Sequence, residues 1–351
     1  MTRPGTGGGG TRKAAIILGG VSLLLAAACG GPGHDSGPTA GSAPAATQGV
    51  TAAPAIPARP TATAPGPRPR PTARAWWHPG GSGPDNGPRF QWELDHPLNT
   101  HSAEDIGAGA VNAAGRLAAG PTVYDIDGIE NPASTVAALH RLGDKVICYI
   151  EVGAAGSYYS AASEGIPVSY YSQLAAAGDL GRKVPGYPER YVDINAASTV
   201  SVIESMIRQQ CAAKGFDAVE PDIDDSYSDS TGYPVTEAEN EAYDRTLGAY
   251  AHSLGLAWGQ KNGDNDPAFA KALEPATDFL LTEECSFYHT CRLVSAPYVR
   301  AEKLVLDAEY TDDWGGAVAA DLGRFCAADL SAGIDGTLFT SALAGQRSPC
   351  R

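Results

Sequence analysis

"GFDAVEPDIDDSYSDSTGYP" (residues 215–234) sets six acidic residues and a proline at the end of a segment that reads as a buried strand. Phe216, Ala218 and Val219 form an apolar, strand-compatible run, and the Gly/Ser/Asp/Pro-rich stretch after it reads as a loop. Carboxylates at a strand exit lose hydration unless they stay wet, find partners or act on a substrate. The same design recurs in seven other runs: "FQWEL" (90–94), "TVYDID" (122–127), "KVICYIEVG" (145–153), "RYVDI" (190–194), "LAWGQKN" (256–262), "DFLLTEE" (278–284) and "KLVLDAEY" (303–310). Amphipathic segments lie between them, such as "NPASTVAALHRLGD" (131–144), "ASTVSVIESMIRQQCAAKG" (197–215) and "TEAENEAYDRTLGAYAHSLG" (236–255). Each ends near a glycine, as helices do. Eight strand-helix alternations predict a parallel sheet closed into a (β/α)8 TIM barrel. An open doubly wound sheet is the alternative, weakened because no GxGxxG follows the first strands.

The strand ends are polar: Asp125 and Asp127, Glu151, Asp193, Glu220 and Asp222, Lys261 and Asn262, Glu283 and Glu284, Asp307 and Glu309. In a barrel all strand C-termini open onto one face, and residues two apart share a side. This predicts a carboxylate-lined cleft. Paired carboxylates on different strands are what glycosidic-bond cleavage requires, one protonated and one ionised. Aromatic residues suit the flat apolar faces of sugars, and Trp76, Trp77, Trp92, Tyr124, Tyr149, Tyr227, Trp258, Tyr288 and Tyr310 lie near strand ends or neighbouring loops.

The remaining features bound the setting. Arg3, Arg12 and Lys13 precede a short apolar run, Ala14 to Ala28, which reads as an export signal over residues 1–29. "LLLAAACGG" resembles a bacterial lipoprotein signal, with Cys29 as the lipid-bearing residue. Residues 30–74 are rich in Gly, Pro, Ala, Thr and Ser and predict a disordered tether. Residues 75–351 have the size expected of a single α/β-barrel domain and hold 18 Lys+Arg against 39 Asp+Glu, a formal charge of −21. Such a charge argues against nucleic acid and for a neutral or cationic partner. Besides Cys29 there are six cysteines, an even number that in an exported chain predicts three disulfides. Fifteen connectivities are open; Cys285–Cys291 is the natural local pair, and Cys326–Cys350 would pin the C-terminus. No metal or cofactor is expected: there is no CxxC, and Tyr233 stands where a calcium loop beginning at Asp222 needs glutamate. No GxSxG marks a serine nucleophile.

"YDIDG", "KVICYIEVG", "GFDAVEPD", "TGYP", "QKN", "TEEC" and "AEY", in this order, resemble glycoside hydrolase family 114 across about residues 76 to 314. The family comprises endo-α-1,4-polygalactosaminidases on a (β/α)8 barrel. The resemblance implies Asp222 as nucleophile and Glu283 as acid/base, on the fifth and seventh strands, with Glu220 the competitor for either role. It implies sugar contacts from Asp125, Asp127, Lys261, Asn262 and Tyr310, and Trp92, Tyr124, Tyr149 and Glu309 complete the candidate binding set. Three positions depart from the family pattern: Ile223 replaces an asparagine, "TEEC" stands for "NEQC", and Glu151 replaces a small residue. The expected partner is a partly de-acetylated, cationic polysaccharide met by an exported monomer, with membrane contact only through a lipid on Cys29. A non-catalytic carbohydrate-binding barrel is the rival reading.

Overall fold

The computed structural model describes residues 88–263 and 266–351. The expected export signal and tether, with Cys29, Trp76 and Trp77, lie outside the described residues. In chain order the elements are β1 (Phe90–Glu93), β2 (Val123–Asp127), α1 (Ala133–Leu142), β3 (Lys145–Glu151), β4 (Ala154–Gly156), α2 (Tyr170–Ala177), β5 (Leu180–Lys183), β6 (Glu189–Val192), α3 (Ala197–Met206) and β7 (Ala218–Asp222). There follow α4 (Glu237–Ser253), β8 (Ala257–Lys261), α5 (Pro267–Leu273), β9 (Phe279–Glu283), α6 (Cys291–Arg300), β10 (Leu304–Tyr310), α7 (Thr311–Trp314), α8 (Val318–Ala332), β11 (Asp335–Phe339) and β12 (Arg347–Pro349).

The large sheet runs β1-β2-β3-β7-β8-β9-β10-β11-β12, with the first eight of these parallel and β12 antiparallel on β11. Its two ends meet where Leu94 N–H donates to Leu343 C=O (3.0 Å) and Phe90 sets its ring edge-on to Phe339 at 5.4 Å. The result is a nearly closed (β/α)8 TIM barrel. Alternation along the strands sorts the core into two layers. Phe90, Trp92, Ile147, Tyr149, Phe279, Leu281, Leu306 and Tyr310 fill the barrel, whereas Tyr124, Ile126, Val146, Cys148, Val219 and Trp258 pack outward against helices.

The expected strand at 190–194 is not a barrel strand. Its residues fall largely in β6, the middle of a three-stranded antiparallel sheet, β4-β6-β5, inserted after β3. The eighth barrel strand is β11, "DGTLF", which begins with two turn-forming residues and so escapes a hydrophobicity reading. Counting along the barrel, Asp222 therefore ends the fourth strand and Glu283 the sixth, not the fifth and seventh.

Helix ends follow local chemistry. Thr236 and Glu239 make a reciprocal capping box on α4, and Asp266 caps α5 ahead of Pro267. After α3 the backbone widens into a π-helical stretch, Ile207–Ala212, and Cys211 on it bonds Cys148 of β3. The other two disulfides are Cys285–Cys291 and Cys326–Cys350. Loop closure ranks their contributions. Cys148–Cys211 spans 63 residues and its loss is expected to cost about 4 kcal/mol, against about 2 kcal/mol for the 6-residue span of Cys285–Cys291. Urea unfolding of the Cys148→Ala/Cys211→Ala and Cys285→Ala/Cys291→Ala pairs measures this, and equal midpoints would contradict the ranking.

Candidate active site

Residues two apart on each strand end face the barrel axis. β7 supplies Glu220 and Asp222, β3 supplies Tyr149 and Glu151 in register with them, and β8 and β9 end in Lys261 and Glu283. One ammonium organises the group. Lys261 Nζ lies 2.9 Å from Glu220 Oε1, 2.9 Å from Asp222 Oδ1 and 3.1 Å from Glu283 Oε2. It also sits 4.8 Å from the centre of the Trp92 ring, within cation–π range. Lys261 is wholly buried, which works against its charge, but Asp222, Glu220 and Glu283 together hold its pKa well above the ordinary lysine range.

The two carboxylates that flank Lys261 are treated differently. Asp222 accepts from Lys261 and from the Tyr149 hydroxyl (2.7 Å), so both of its oxygens are held by donors. Glu283 accepts from Tyr310, but burial pushes its pKa up to about 7 despite the lysine. Glu220 sits two residues deeper, between Lys261 and Asp125, and burial raises its pKa as well. Burial, and then the charge of Glu220, hold Asp125 well above the carboxylate range.

A second ring of contacts comes from outside the barrel strands. Tyr158 donates to Glu151 and lies 3.2 Å from Glu189 Oε1 on β6, and Tyr159 donates to Asp127. Asp127 also accepts from the backbone of Ile129 (2.7 Å) and Glu130 (2.6 Å). Tyr187, between β5 and β6, packs against the apolar cluster inside the barrel, so the inserted sheet walls one side of the mouth. Glu189, Tyr158, Tyr159 and Tyr187 were invisible to a strand-end reading because none lies on a barrel strand. The adjacent tyrosines "YY" (158–159) after an acidic strand end were the available signal.

Three successive strand exits carry left-handed backbone: Ile223 (φ 62), Asn262 (φ 51) and Glu284 (φ 57), each directly after an inward Asp222, Lys261 or Glu283. For a β-branched residue this is strained. Ile223 is held there by burial against Ala154 and Tyr191 of the inserted sheet and Val184 just after β5. Gly153 permits the approach, since a Cβ there would sit 2.0 Å from Ile223 C=O.

Of the residues expected at the site, Trp92, Asp125, Asp127, Tyr149, Glu220, Asp222, Lys261, Glu283 and Tyr310 converge on the mouth or just beneath it. Asn262 follows β8, buried, its backbone N–H on Leu281 C=O (3.1 Å). Two do not converge. Tyr124 points outward into the helix layer and donates to Ile106 C=O (3.2 Å). Glu309 lies on the outer face of β10, accepting from Ser286 N–H (2.8 Å) and Trp314 Nε1 (2.6 Å). In both cases strand alternation sends the neighbouring residue, Asp125 or Tyr310, inward instead.

The buried acids set an unusual pH response. Burial raises Glu283 to about 7, Glu93 and Glu151 to about 8 and Glu189 to about 10, whereas unfolded glutamates titrate near ~4.3. The folded state therefore binds more protons than the unfolded one above about pH 4, and stability is lost as pH rises through the folded values. The melting temperature is expected to be highest near about pH 4–5 and to fall toward about pH 9. Calorimetry across that range checks it; a rise over the same interval would contradict the burial of these acids.

A parallel barrel whose mouth holds carboxylates on both sides of one lysine, with aromatic rings around them, is the framework of a glycoside hydrolase. The chain belongs to glycoside-hydrolase family GH114, whose sequence profile matches residues 66–351. No curated protein sequence matches it. Among solved structures it is similar to Aspergillus fumigatus Ega3, crystallised in complex with galactosamine, at 22% identity over 78% of this chain and 97% of that one, with a TM-score of 0.63. It is also similar to the glycoside hydrolase domain of PelA from Pseudomonas aeruginosa, at 15% identity over 74% of this chain and 97% of that one, with a TM-score of 0.50.

Proposed function

We propose that this glycoside hydrolase is exported and cuts internal α-1,4 bonds in galactosamine-rich, partly de-acetylated polysaccharide, with Asp222 as nucleophile and Glu283 as acid/base. The observation that carries the reading is the shared lysine. Lys261 contacts both carboxylates, so their contacting oxygens lie within about 6 Å of each other. So close an approach favours the retaining arrangement, whose carboxyl groups stand roughly 5–5.5 Å apart, over the inverting one at roughly 6.5–9.5 Å. Two donors on Asp222 stabilise its anion for attack on the anomeric carbon. Glu283, with a pKa of about 7, still holds a proton near neutrality to give to the leaving glycosidic oxygen.

In the first step the Asp222–C1 bond forms as the C1–O bond breaks, and the leaving oxygen takes the proton of Glu283. In the second, ionised Glu283 removes a proton from water, whose oxygen displaces Asp222 from C1. Both steps balance without a metal or cofactor. Family membership and the galactosamine bound to Ega3 support the sugar class. The formal −21 of residues 75–351 favours a cationic polymer, and three disulfides favour an oxidising compartment. Lipid attachment at Cys29 is the proposed anchor.

The test is product analysis. Purified protein is incubated with galactosaminogalactan, native or chemically acetylated; oligomer masses are read by mass spectrometry and the first anomer formed by NMR. Internal cleavage at de-acetylated segments with retained α configuration is the expected result. Release of single sugars from chain ends, or a β product, would overturn the endo or the retaining assignment respectively.

A further inference from the structure

The acidic domain gathers four of its 18 basic residues at one place. Arg89, Arg116, Arg347 and Arg351 meet below the N-terminal ends of β1 and β2, the opposite end of the barrel from Asp222 and Glu283. Arg89, Asn112, Arg116, Leu117 and Arg351 line a recess of about 300 Å³ there. The base is ordered: Arg347 donates to Phe90 C=O (2.6 Å) and Ala119 C=O (3.0 Å), and Arg89 Nε to Gly120 C=O. Arg351 donates to Pro88 C=O (2.6 Å) and pairs with Asp335 (2.9 Å), while its Nε is buried without an acceptor among the described residues. Arg116 is exposed and pairs with no carboxylate among the described residues.

Beside the recess a rigid hairpin holds apolar side chains in water. Asn112 N–H donates to Arg116 C=O (2.9 Å), Ala118 N–H to Ala110 C=O (2.8 Å), and Asn112 Oδ1 accepts from Ala114 and Arg116 N–H, both at 3.1 Å. These bonds pair Val111 with Leu117, which stay 49% and 74% exposed. Exposed apolar tips fixed beside the exposed Arg116 guanidinium match a surface that offers phosphates outside and hydrocarbon beneath. The chain also enters the domain here: 87 residues precede Pro88, whose carbonyl Arg351 holds.

We infer that this foot of the barrel docks on an anionic phospholipid membrane, the exposed Arg116 and half-buried Arg89 meeting headgroup phosphates and Val111 and Leu117 entering the headgroup layer. Docking there turns the catalytic mouth outward, toward polymer. The acids elsewhere do not oppose docking there, because their repulsion from the membrane is screened beyond about 8 Å at physiological salt while the contacting arginines are not.

The test uses the full chain carrying Cys29→Ser, so that no lipid can attach, with vesicles of phosphatidylglycerol and phosphatidylcholine in equal parts or of phosphatidylcholine alone, at physiological salt. Co-sedimentation is expected to be at least about tenfold stronger on the anionic vesicles. Arg116→Gln should weaken it about fivefold. Leu117→Asp should weaken it as well, and both variants, changed only at exposed side chains, should cleave soluble substrate at the parent rate. Equal binding to the two vesicles, or variants that bind like the parent, would overturn the inference. So would release by millimolar inorganic phosphate alone, which would make the recess a small-anion site instead of a membrane surface.

Discussion

Asp222→Asn is expected to lower kcat by about 10⁴-fold or more while substrate still binds, and Glu283→Gln by about 10²–10⁴-fold. The amides keep the shape of each side chain, but an amide neither attacks the anomeric carbon nor gives up a proton as a carboxylic acid does. The lost interactions belong to the transition state, so kcat falls and KM changes little. Glu220→Gln should cost less. Glu220 reaches the reaction only through Lys261 and Asp125, and a neutral amide there still accepts from the lysine. The two roles separate by azide rescue: a β-glycosyl azide from Asp222→Asn marks a missing nucleophile, and an α product from Glu283→Gln marks a missing acid/base. A second signature is the pH profile. The alkaline limb, set by loss of the Glu283 proton near pH 7, should disappear in Glu283→Gln and remain in Asp222→Asn. Activity within tenfold of the parent in either variant would remove that residue from the pair and bring Glu220 forward.

Much of this site was readable from the sequence because barrel strands put their chemistry at their C-terminal ends and alternate with period two. "VEPD", "QK" and "TE" each announce an inward acid or lysine at the last residue, and Asp222, Lys261 and Glu283 do meet. The same rule was under-determined on β10, where "LVLDAEY" is buried on both faces. Acids on the outer face are not exposed there. Asp307 accepts from Thr282 (2.8 Å) and Glu309 from Ser286 and Trp314, so polarity alone did not say which alternate residue looked inward. The inserted sheet was missed for a different reason. "RYVDI" has the residues of a strand, and nothing local distinguishes antiparallel pairing with Ala154–Gly156 from a place in the barrel. Pairing is a long-range property, and β11 shows the converse: its strand character comes from β10 and β12 on either side of it.

The largest combined loss is expected from Lys261→Met, which removes the cation and keeps most of the volume. Three buried carboxylates then face one another without a counter-charge, a situation that costs about 3–5 kcal/mol when one partner of a buried ion pair is deleted. The site avoids part of that cost by taking up protons. Loss of a positive charge 2.9 Å from Glu220 and 3.1 Å from Glu283 raises those two pKa values further, because the charged form loses its partner. Stability of the variant should therefore approach that of the parent near about pH 5, where Glu283 holds its proton, and fall well below it near pH 8. Turnover should fall because Asp222 loses the donor on its Oδ1. The nucleophile is then held by the Tyr149 hydroxyl alone, without the cation that aligns it with Glu283, so kcat at neutral pH should drop by at least about 10³-fold. Lys261→Arg keeps the charge but brings a planar fork where a point donor met three oxygens, and should restore stability more than activity. A Met variant with the parent's pH profile and a uniform loss at every pH would mean that Lys261 only fills space, and the electrostatic account of the pair would fail with it.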